Sequence, residues 1–222
     1  MSERWTRFGL VLVASGAVAC GGGEDAAVES YLAALSAGDE RALQEAGVAK
    51  IEEKVEAWAK LGSSQETTIP VTLPELAKRH VELAAELDAH RKVSGKFALD
   101  HLSDVNAVKK LLEEEKEVPE KLREVADGWQ ELSAKEAELQ GAVREAQAAM
   151  EQEKRVCQLS AGDASDLTTA GGEIRVKQVD LNLTVGGEAK PYVMTLRRYM
   201  LEETDVPHEI SRWVVYDLKP KG

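Results

Sequence analysis

Residues 118–157 read VPEKLREVADGWQELSAKEAELQGAVREAQAAMEQEKRVC, and they carry the most regular apolar pattern in the chain. Positions at alternating spacings of four and three residues form the heptad seam that is typical of a coiled coil. The seam consists of Val118, Leu122, Val125, Trp129, Leu132, Glu136, Leu139, Val143, Ala146, Met150, Glu153 and Cys157. Its apolar character is interrupted at Glu136 and Glu153. Pro119 suits the first turn of a helix, so a long helix is predicted from there onward.

A second helical stripe lies upstream of this seam, and it predicts the partner of the long helix. The stripe consists of Leu76, Leu83, Leu87, Phe97, Leu102, Val105, Val108 and Leu112, with an expected interruption near Ser94–Gly95. The two arms, 75–116 and 119–158, have nearly equal lengths, which predicts an antiparallel hairpin with its tip at 117–119. Each unbroken arm would reach about 60 Å. A parallel coiled coil between two chains fits the same pattern, and the sequence leaves that alternative open.

The segments on either side of the hairpin differ in their periodicity. Residues 24–61 have helical spacing, including a predicted helix over 49–60 with Ile51, Val55 and Trp58 on one face. After residue 172 the apolar residues alternate, which predicts antiparallel strands. The alternation changes phase between Ile174 and Val179, and we expect a bulge at 177–178. The predicted fold class is therefore α+β, with N-terminal helices, a C-terminal antiparallel sheet and a long inserted helical hairpin.

Two stretches of this α+β part resemble a known fold family. VESYLAALSAGDERALQEA (28–46) and RWVVYDL (212–218) look like parts of the nuclear transport factor and cystatin-like class. The resemblance implies a cone-shaped domain made of 24–61 with 173–222. Residues 74–158 would then be a hairpin inserted into that domain, since an antiparallel hairpin returns its two ends to one place.

The N-terminus has the three parts of a secretory signal. Residues 1–7 include Arg4 and Arg7, and 8–18 form an apolar run that is too short to span a bilayer stably. Small residues and a cysteine follow in the stretch AVAC (17–20). Residues 1–19 are therefore predicted to be a signal peptide.

The stretch AVAC resembles the bacterial lipoprotein signal, although that family prefers Leu at the position of Ala17. The resemblance implies cleavage between Ala19 and Cys20, acylation of Cys20 and a flexible tether over 20–25. The lipid bilayer would then be a partner through the acyl chains. Cleavage at an ordinary A-x-A site is the alternative, and it would leave Cys20 as a thiol able to pair with Cys157.

The predicted signal peptide and the net charge of the chain limit its expected location and its possible partners. Removing residues 1–19 leaves 26 basic and 39 acidic residues and a net charge of −13. Such a charge repels nucleic acid and anionic headgroups, so no nucleic-acid partner is expected. Gly21 is not the Asp that retains such lipoproteins at the inner membrane. The expected location is therefore the cell envelope, facing the periplasm and attached to the outer rather than the inner membrane.

No motif in the sequence points to catalysis. His80, His90 and His101 fall near the seam of the first arm, but their spacing places them about 15 Å apart along a helix, too far for a shared metal ion. His208 lies far along the chain. We expect no metal, no cofactor and no enzymatic activity.

Two functions from different classes fit these features. The first is a non-enzymatic envelope scaffold whose hairpin docks another envelope protein, with partner and oligomeric state left open. The alternative is a small-ligand binder, or with less support an enzyme, that uses a pocket between the first helices and the sheet. That pocket would be lined by convergent polar groups, and the aromatic candidates for its wall are Tyr192, Tyr199, Trp213 and Tyr216.

Overall fold

The computed structural model describes residues 23–49, 51, 53–162, 167–202 and 211–221. The helices are α1 (Glu24–Ala37), α2 (Glu40–Ala46), α3 (Leu73–Asp100), α4 (Leu102–Glu113) and α5 (Arg123–Ala161), with a short 3-10 helix at Glu120–Leu122. The strands are β1 (Val55–Ser63), β2 (Thr67–Pro70), β3 (Gly172–Val185), β4 (Glu188–Leu201) and β5 (Val214–Pro220). The predicted α+β class is confirmed, with helices before the sheet and inserted into it.

The five strands form one antiparallel sheet. Its order is β1-β3-β4-β5, and β2 pairs with β3 beside β1. β3 and β4 are joined by a tight turn at Gly186 and Gly187, both of which have positive φ. Because β1 and β2 come before the helical hairpin while β3 to β5 follow it, the hairpin is inserted between strands of a single sheet.

The sheet buries different faces at its two ends. α1 packs on the front face, where Val179, Leu181 and Met194 are fully buried. The last turns of α5 pack on the back face, where Ile174 and Tyr199 are fully buried. The sheet is therefore covered by helices on opposite faces at opposite ends.

This arrangement explains the change of phase in β3, and it shows that the bulge predicted at 177–178 is wrong. β3 pairs with β4 without a register shift from Gly172 to Val185. Ile174 faces α5 and Val179 faces α1, so both residues are buried although they lie on opposite faces of one regular strand.

The helix predicted over 49–60 is also wrong, because Val55 to Ser63 form β1. A register irregularity between Val55 and Ala57 places one extra residue, Glu56, in β1. Val55 and Trp58 consequently face the same side of the sheet, opposite Val185 and Leu183. The bulge thus produces the three-residue spacing that the sequence presents as helical.

The predicted hairpin is present, and it is formed within one chain. α3 runs antiparallel to α5, and Gly128 of α5 lies against the ring of Phe97 of α3. The first arm is interrupted at His101 rather than at Ser94–Gly95, and α4 then packs on the first turns of α5 through Val108. Because of this break, the straight part of the first arm, α3, is only about 42 Å long. Leu102 and Leu112, which the sequence places on the seam, are exposed.

The two glycines of α5 provide a test of this packing. A Cβ on Gly141 would meet no atom within 4 Å, whereas a Cβ on Gly128 would lie 3.0 Å from Cζ of Phe97. We expect Gly141→Ala to raise the free energy of unfolding by up to about 1 kcal/mol through helix propensity. Gly128→Ala should lose most of that gain to the contact with Phe97. Equal stabilisation by the two changes in urea unfolding would contradict the described packing.

Candidate functional site

A buried polar cluster fixes the base of the hairpin to the sheet. Glu153 of α5 is only 4 % exposed, and its carboxylate accepts hydrogen bonds from three side chains. The Tyr199 hydroxyl donates to Oε1 at 2.6 Å and the Thr72 hydroxyl donates to the same oxygen at 2.8 Å. Nη1 of Arg197 lies 2.9 Å from Oε2 and 3.2 Å from Oε1. The start of α3, strand β4 and helix α5 thus meet at one carboxylate.

The charge of Arg197 is compensated by neighbouring protein groups rather than by solvent. The guanidinium of Arg197 lies 3.4 Å from the centre of the Tyr216 ring, so it is held between a carboxylate and an aromatic face. Burial, reinforced by Glu153, raises the pKa of the Tyr199 hydroxyl well above its ordinary value. Tyr199 therefore remains protonated and serves Glu153 as a permanent hydrogen-bond donor.

A second set of hydrogen bonds joins the C-terminal end of α5 to the sheet. The Ser160 hydroxyl accepts from the backbone N–H of Tyr199 at 2.9 Å and donates to the carbonyl of Arg212 at 2.7 Å. Ser211 donates to the carbonyl of Tyr199 at 2.6 Å. The Arg212 side chain then donates to the carbonyls of Leu159 and Glu45, which links α5 to the end of α2. These bonds prevent the last turns of α5 from rotating against the sheet.

Cys157 lies beside this cluster and is fully buried. Burial, with a smaller effect of Glu153, raises the pKa of its thiol to about 12. Because the thiolate is the nucleophile, this cysteine is unreactive at neutral pH. Its place in the seam fits a small apolar residue, as the heptad pattern indicates.

Two of the three histidines of the first arm make structural contacts, and His80 is half-buried in α3. Nε2 of His90 lies 2.8 Å from the carbonyl oxygen of Leu132 across the hairpin. His101 lies at the break between α3 and α4, with its ring centre 4.7 Å from that of Phe97. His208 is outside the described residues. In the described ranges, no group of three or more His, Cys, Asp or Glu side chains is placed to hold a metal ion.

The four aromatic residues of the alternative binding site do not line one pocket. Tyr192 and Trp213 belong to the front-face core, whereas Tyr199 belongs to the back-face core. Tyr216 packs behind the Arg197 guanidinium. The space between α1 and the sheet is filled by Val28, Tyr31, Leu32 and Leu35 against Val179, Leu181, Leu183, Met194 and Leu196. A depression of about 380 Å³ lies elsewhere, at the junction of β1 and β2 next to Ser64 and Thr67.

Ala19 and Cys20, the residues of the proposed cleavage and acylation, lie outside the described residues. The described part begins at Gly23, and Glu24 and Asp25 already form the first turn of α1. Glu24 bonds Nζ of Lys60 at 3.0 Å and Nζ of Lys177 at 2.6 Å. Burial raises the pKa of the Glu24 carboxyl, but the hydrogen bonds from Lys177 and Lys60 lower it by more. The pKa of Glu24 therefore lies below its ordinary value. The start of α1 is thus attached to the sheet.

No helix in the described ranges is both long enough and apolar enough to cross a membrane. The chain matches no family model, no curated protein and no solved structure.

Sequence reasoning identified α5 and its seam but missed the partners of Glu153. The available signal was a carboxylate at a seam position, which requires a cation or several donors once the seam is buried. Glu136, the other acidic seam residue, lies nearer the solvent and pairs with Arg91 at 3.0 Å. Glu136 also accepts a hydrogen bond from Gln140 of α5 itself, but the cation that pairs with each glutamate lies on another element and is not visible in the local sequence.

The two glutamates make a matched pair for testing the cluster. Glu153→Ala leaves Arg197 buried without its carboxylate, and we expect it to lower the free energy of unfolding by about 3–5 kcal/mol. Glu136→Ala removes a pair that is partly in solvent and should cost less than about 1 kcal/mol. Replacing Glu153 and Arg197 together by Met should recover only part of the loss, because the hydroxyls of Tyr199 and Thr72 are left without their acceptor. Similar losses for Glu153→Ala and Glu136→Ala in chemical denaturation would contradict the assigned burial.

The state of Cys157 can be measured directly. In a Cys20→Ser variant of residues 20–222, an aromatic disulfide reagent should modify Cys157 only on unfolding, since the thiol is buried and its pKa is about 12. The rate at pH 8 should then rise steeply with added urea. A rate in native buffer equal to that of the unfolded chain would show that Cys157 is accessible.

Proposed function

We propose that the protein is a lipid-anchored bacterial envelope protein that acts without catalysis, using the hairpin of α3 to α5 as an arm that docks another envelope protein. The observation that carries this proposal is the buried Glu153 cluster, which attaches a long helical arm rigidly to the sheet. α5 alone is about 58 Å long, and only its last turns are needed for the back-face core. The remainder of the arm is surface that the fold of the sheet does not require.

The filled interior supports contact rather than ligand binding. Large apolar side chains occupy the space between α1 and the sheet, where the alternative function needs a pocket. The surface of the arm instead presents exposed apolar side chains, among them Val93, Leu102 and Leu112. Exposed apolar residues on a projecting helix are typical of protein-interaction surfaces.

The ion pairs at the start of α1 have a geometric consequence for the proposed membrane anchor. Four residue steps separate Cys20 from Glu24, so their Cα atoms are at most about 14 Å apart. Because Glu24 is held by Lys60 and Lys177, an acylated Cys20 would keep the sheet close to the membrane surface. The arm would then extend from a body with little freedom to move away from the bilayer. The outer membrane, with the body facing the periplasm, remains the proposed location.

A shortened arm tests the docking role. Replacing residues 80–145 by a short Gly-rich loop keeps Leu73, Thr72 and the Glu153 cluster, so the sheet retains the contacts of its back face. We expect this variant to remain folded and membrane-bound but to lose the envelope partner that co-purifies with the intact chain. A second variant, with only 101–122 replaced, shows whether the tip or the straight part of the arm holds the partner. Retention of the same partner without residues 80–145 would refute the docking arm.

Cys20→Ser tests the anchor separately. We expect this variant to leave the membrane fraction and to carry no acyl label, while its thermal unfolding stays unchanged. A Gly21→Ser variant, which keeps the cysteine, is the matched control and should still be labelled. Absence of acyl label from the intact chain would refute the anchor without bearing on the arm.

A further inference from the structure

The outward face of α3 carries a second heptad stripe that the hairpin does not use. Six residues follow one another at spacings of four, three, four, three and four, and all six are exposed. They are Val81, Ala85, Asp88, Lys92, Gly95 and Leu99. The inward seam, with Leu83 and Leu87 buried against α5, lies on the opposite side of the same helix. α3 therefore has one covered and one uncovered seam.

The uncovered stripe is its own complement when the helix is reversed. An antiparallel copy centred on residue 90 places Val81 opposite Leu99, Ala85 opposite Gly95 and Asp88 opposite Lys92. Apolar residues thus meet at both ends, small residues meet further in, and opposite charges meet beside the centre. This is the requirement for a two-fold symmetric interface, in which one patch contacts a second copy of itself.

Residues beside the stripe continue this complementarity. Glu82 and Lys96 flank it on one side, and the same two-fold arrangement brings each close to the other in the second copy. Both side chains are exposed. On the other side Arg91 is already paired with Glu136 of α5. Asp88 and Lys92 are 2.8 Å apart within one helix, so two copies would bring together a group of four alternating charges.

The fold of one chain does not explain the exposed apolar residues of the stripe or its glycine. Val81 is 65 % exposed and Leu99 is 74 % exposed. A Cβ on Gly95 would meet no atom within 4 Å, although glycine within a helix costs about 1 kcal/mol relative to alanine. A small residue at this position is useful where a second helix approaches closely.

From these observations we infer that two copies of this chain associate through the outward stripe of α3, antiparallel and centred on residue 90. The interface is about 27 Å long between Val81 and Leu99, so the contact belongs to the small, reversible class. The inference rests on the geometry of the hairpin and not on the proposed docking role. Two anchored copies in one membrane would meet at raised effective concentration.

Cysteine pairing tests the register. Within residues 20–222 carrying Cys20→Ser, Ala85→Cys and Gly95→Cys are made as two separate variants. Mixed under mild oxidation, they should form a disulfide-linked pair, because positions 85 and 95 face each other. Neither variant alone should do so efficiently, since position 85 and its own copy lie about 15 Å apart, beyond disulfide reach. Equal linkage by Ala85→Cys alone, or none in the mixture, would overturn the inference.

Charge reversal tests the interface without cysteines. By sedimentation equilibrium, Asp88→Lys and Lys92→Asp should each weaken dimerisation at least about tenfold, and the double change should restore it. Leu99→Glu should weaken it similarly, whereas Leu61→Glu, at an exposed position of β1, should not. A monomer at every concentration, or no rescue by the double change, would contradict the proposed contact. Because the α3 variants keep the whole hairpin, dimer loss with retained partner capture distinguishes this inference from the docking role.

Discussion

The carboxylate of Glu153 lies where the hairpin meets the sheet, and a buried charge is tolerated only when it is paired and hydrogen-bonded. Arg197 and Tyr199 lie in β4, and Thr72 is the residue immediately before α3. These donors satisfy Glu153 only when both ends of the hairpin lie at the back face of the sheet. An apolar residue at this position would place no such directional requirement on α5. Apolar packing holds the end of α5 on the sheet, and the ion pair in addition fixes the orientation of α5. The arm is therefore a rigid extension of the sheet.

The position of this cluster follows from how the sheet is covered. α1 lies on the front face and the end of α5 on the back face, at opposite ends of β3 and β4. Neither helix covers a whole face, so each of these two strands carries two buried stripes of opposite phase. The inserted hairpin thereby supplies part of the core of the domain that it interrupts. Leu73, Val156 and Cys157 belong to that core, which is why only the outer part of the arm is free for other contacts.

Much of this architecture was predictable, because it depends on short-range periodicity. The seam from Val118 to Cys157 predicts α5 and its buried side, and the matching stripe upstream predicts an antiparallel partner. The wrong predictions, a helix over 49–60 and a bulge at 177–178, arose where the spacing of apolar residues has a cause other than the usual one. The bulge in β1 gives Val55 and Trp58 the spacing of a helix, and the two covered faces give β3 the appearance of a bulge. The partners of Glu153 were not predictable, because Thr72 and Arg197 are brought to it only by the complete fold.

The two sides of α3 have the same heptad spacing, but only the inner side packs on another helix of the chain. The inner seam is apolar, half-buried or buried, and paired with α5, so folding alone accounts for its composition. The outer stripe has its apolar residues at the ends, small residues between them and charges at the centre. Within one chain only the Asp88–Lys92 pair of this stripe supports the helix. Surface positions without a partner tolerate almost any polar residue, so folding does not require this reversal symmetry. An antiparallel contact with a second identical helix does require it, because each position must then suit its counterpart in the reversed copy.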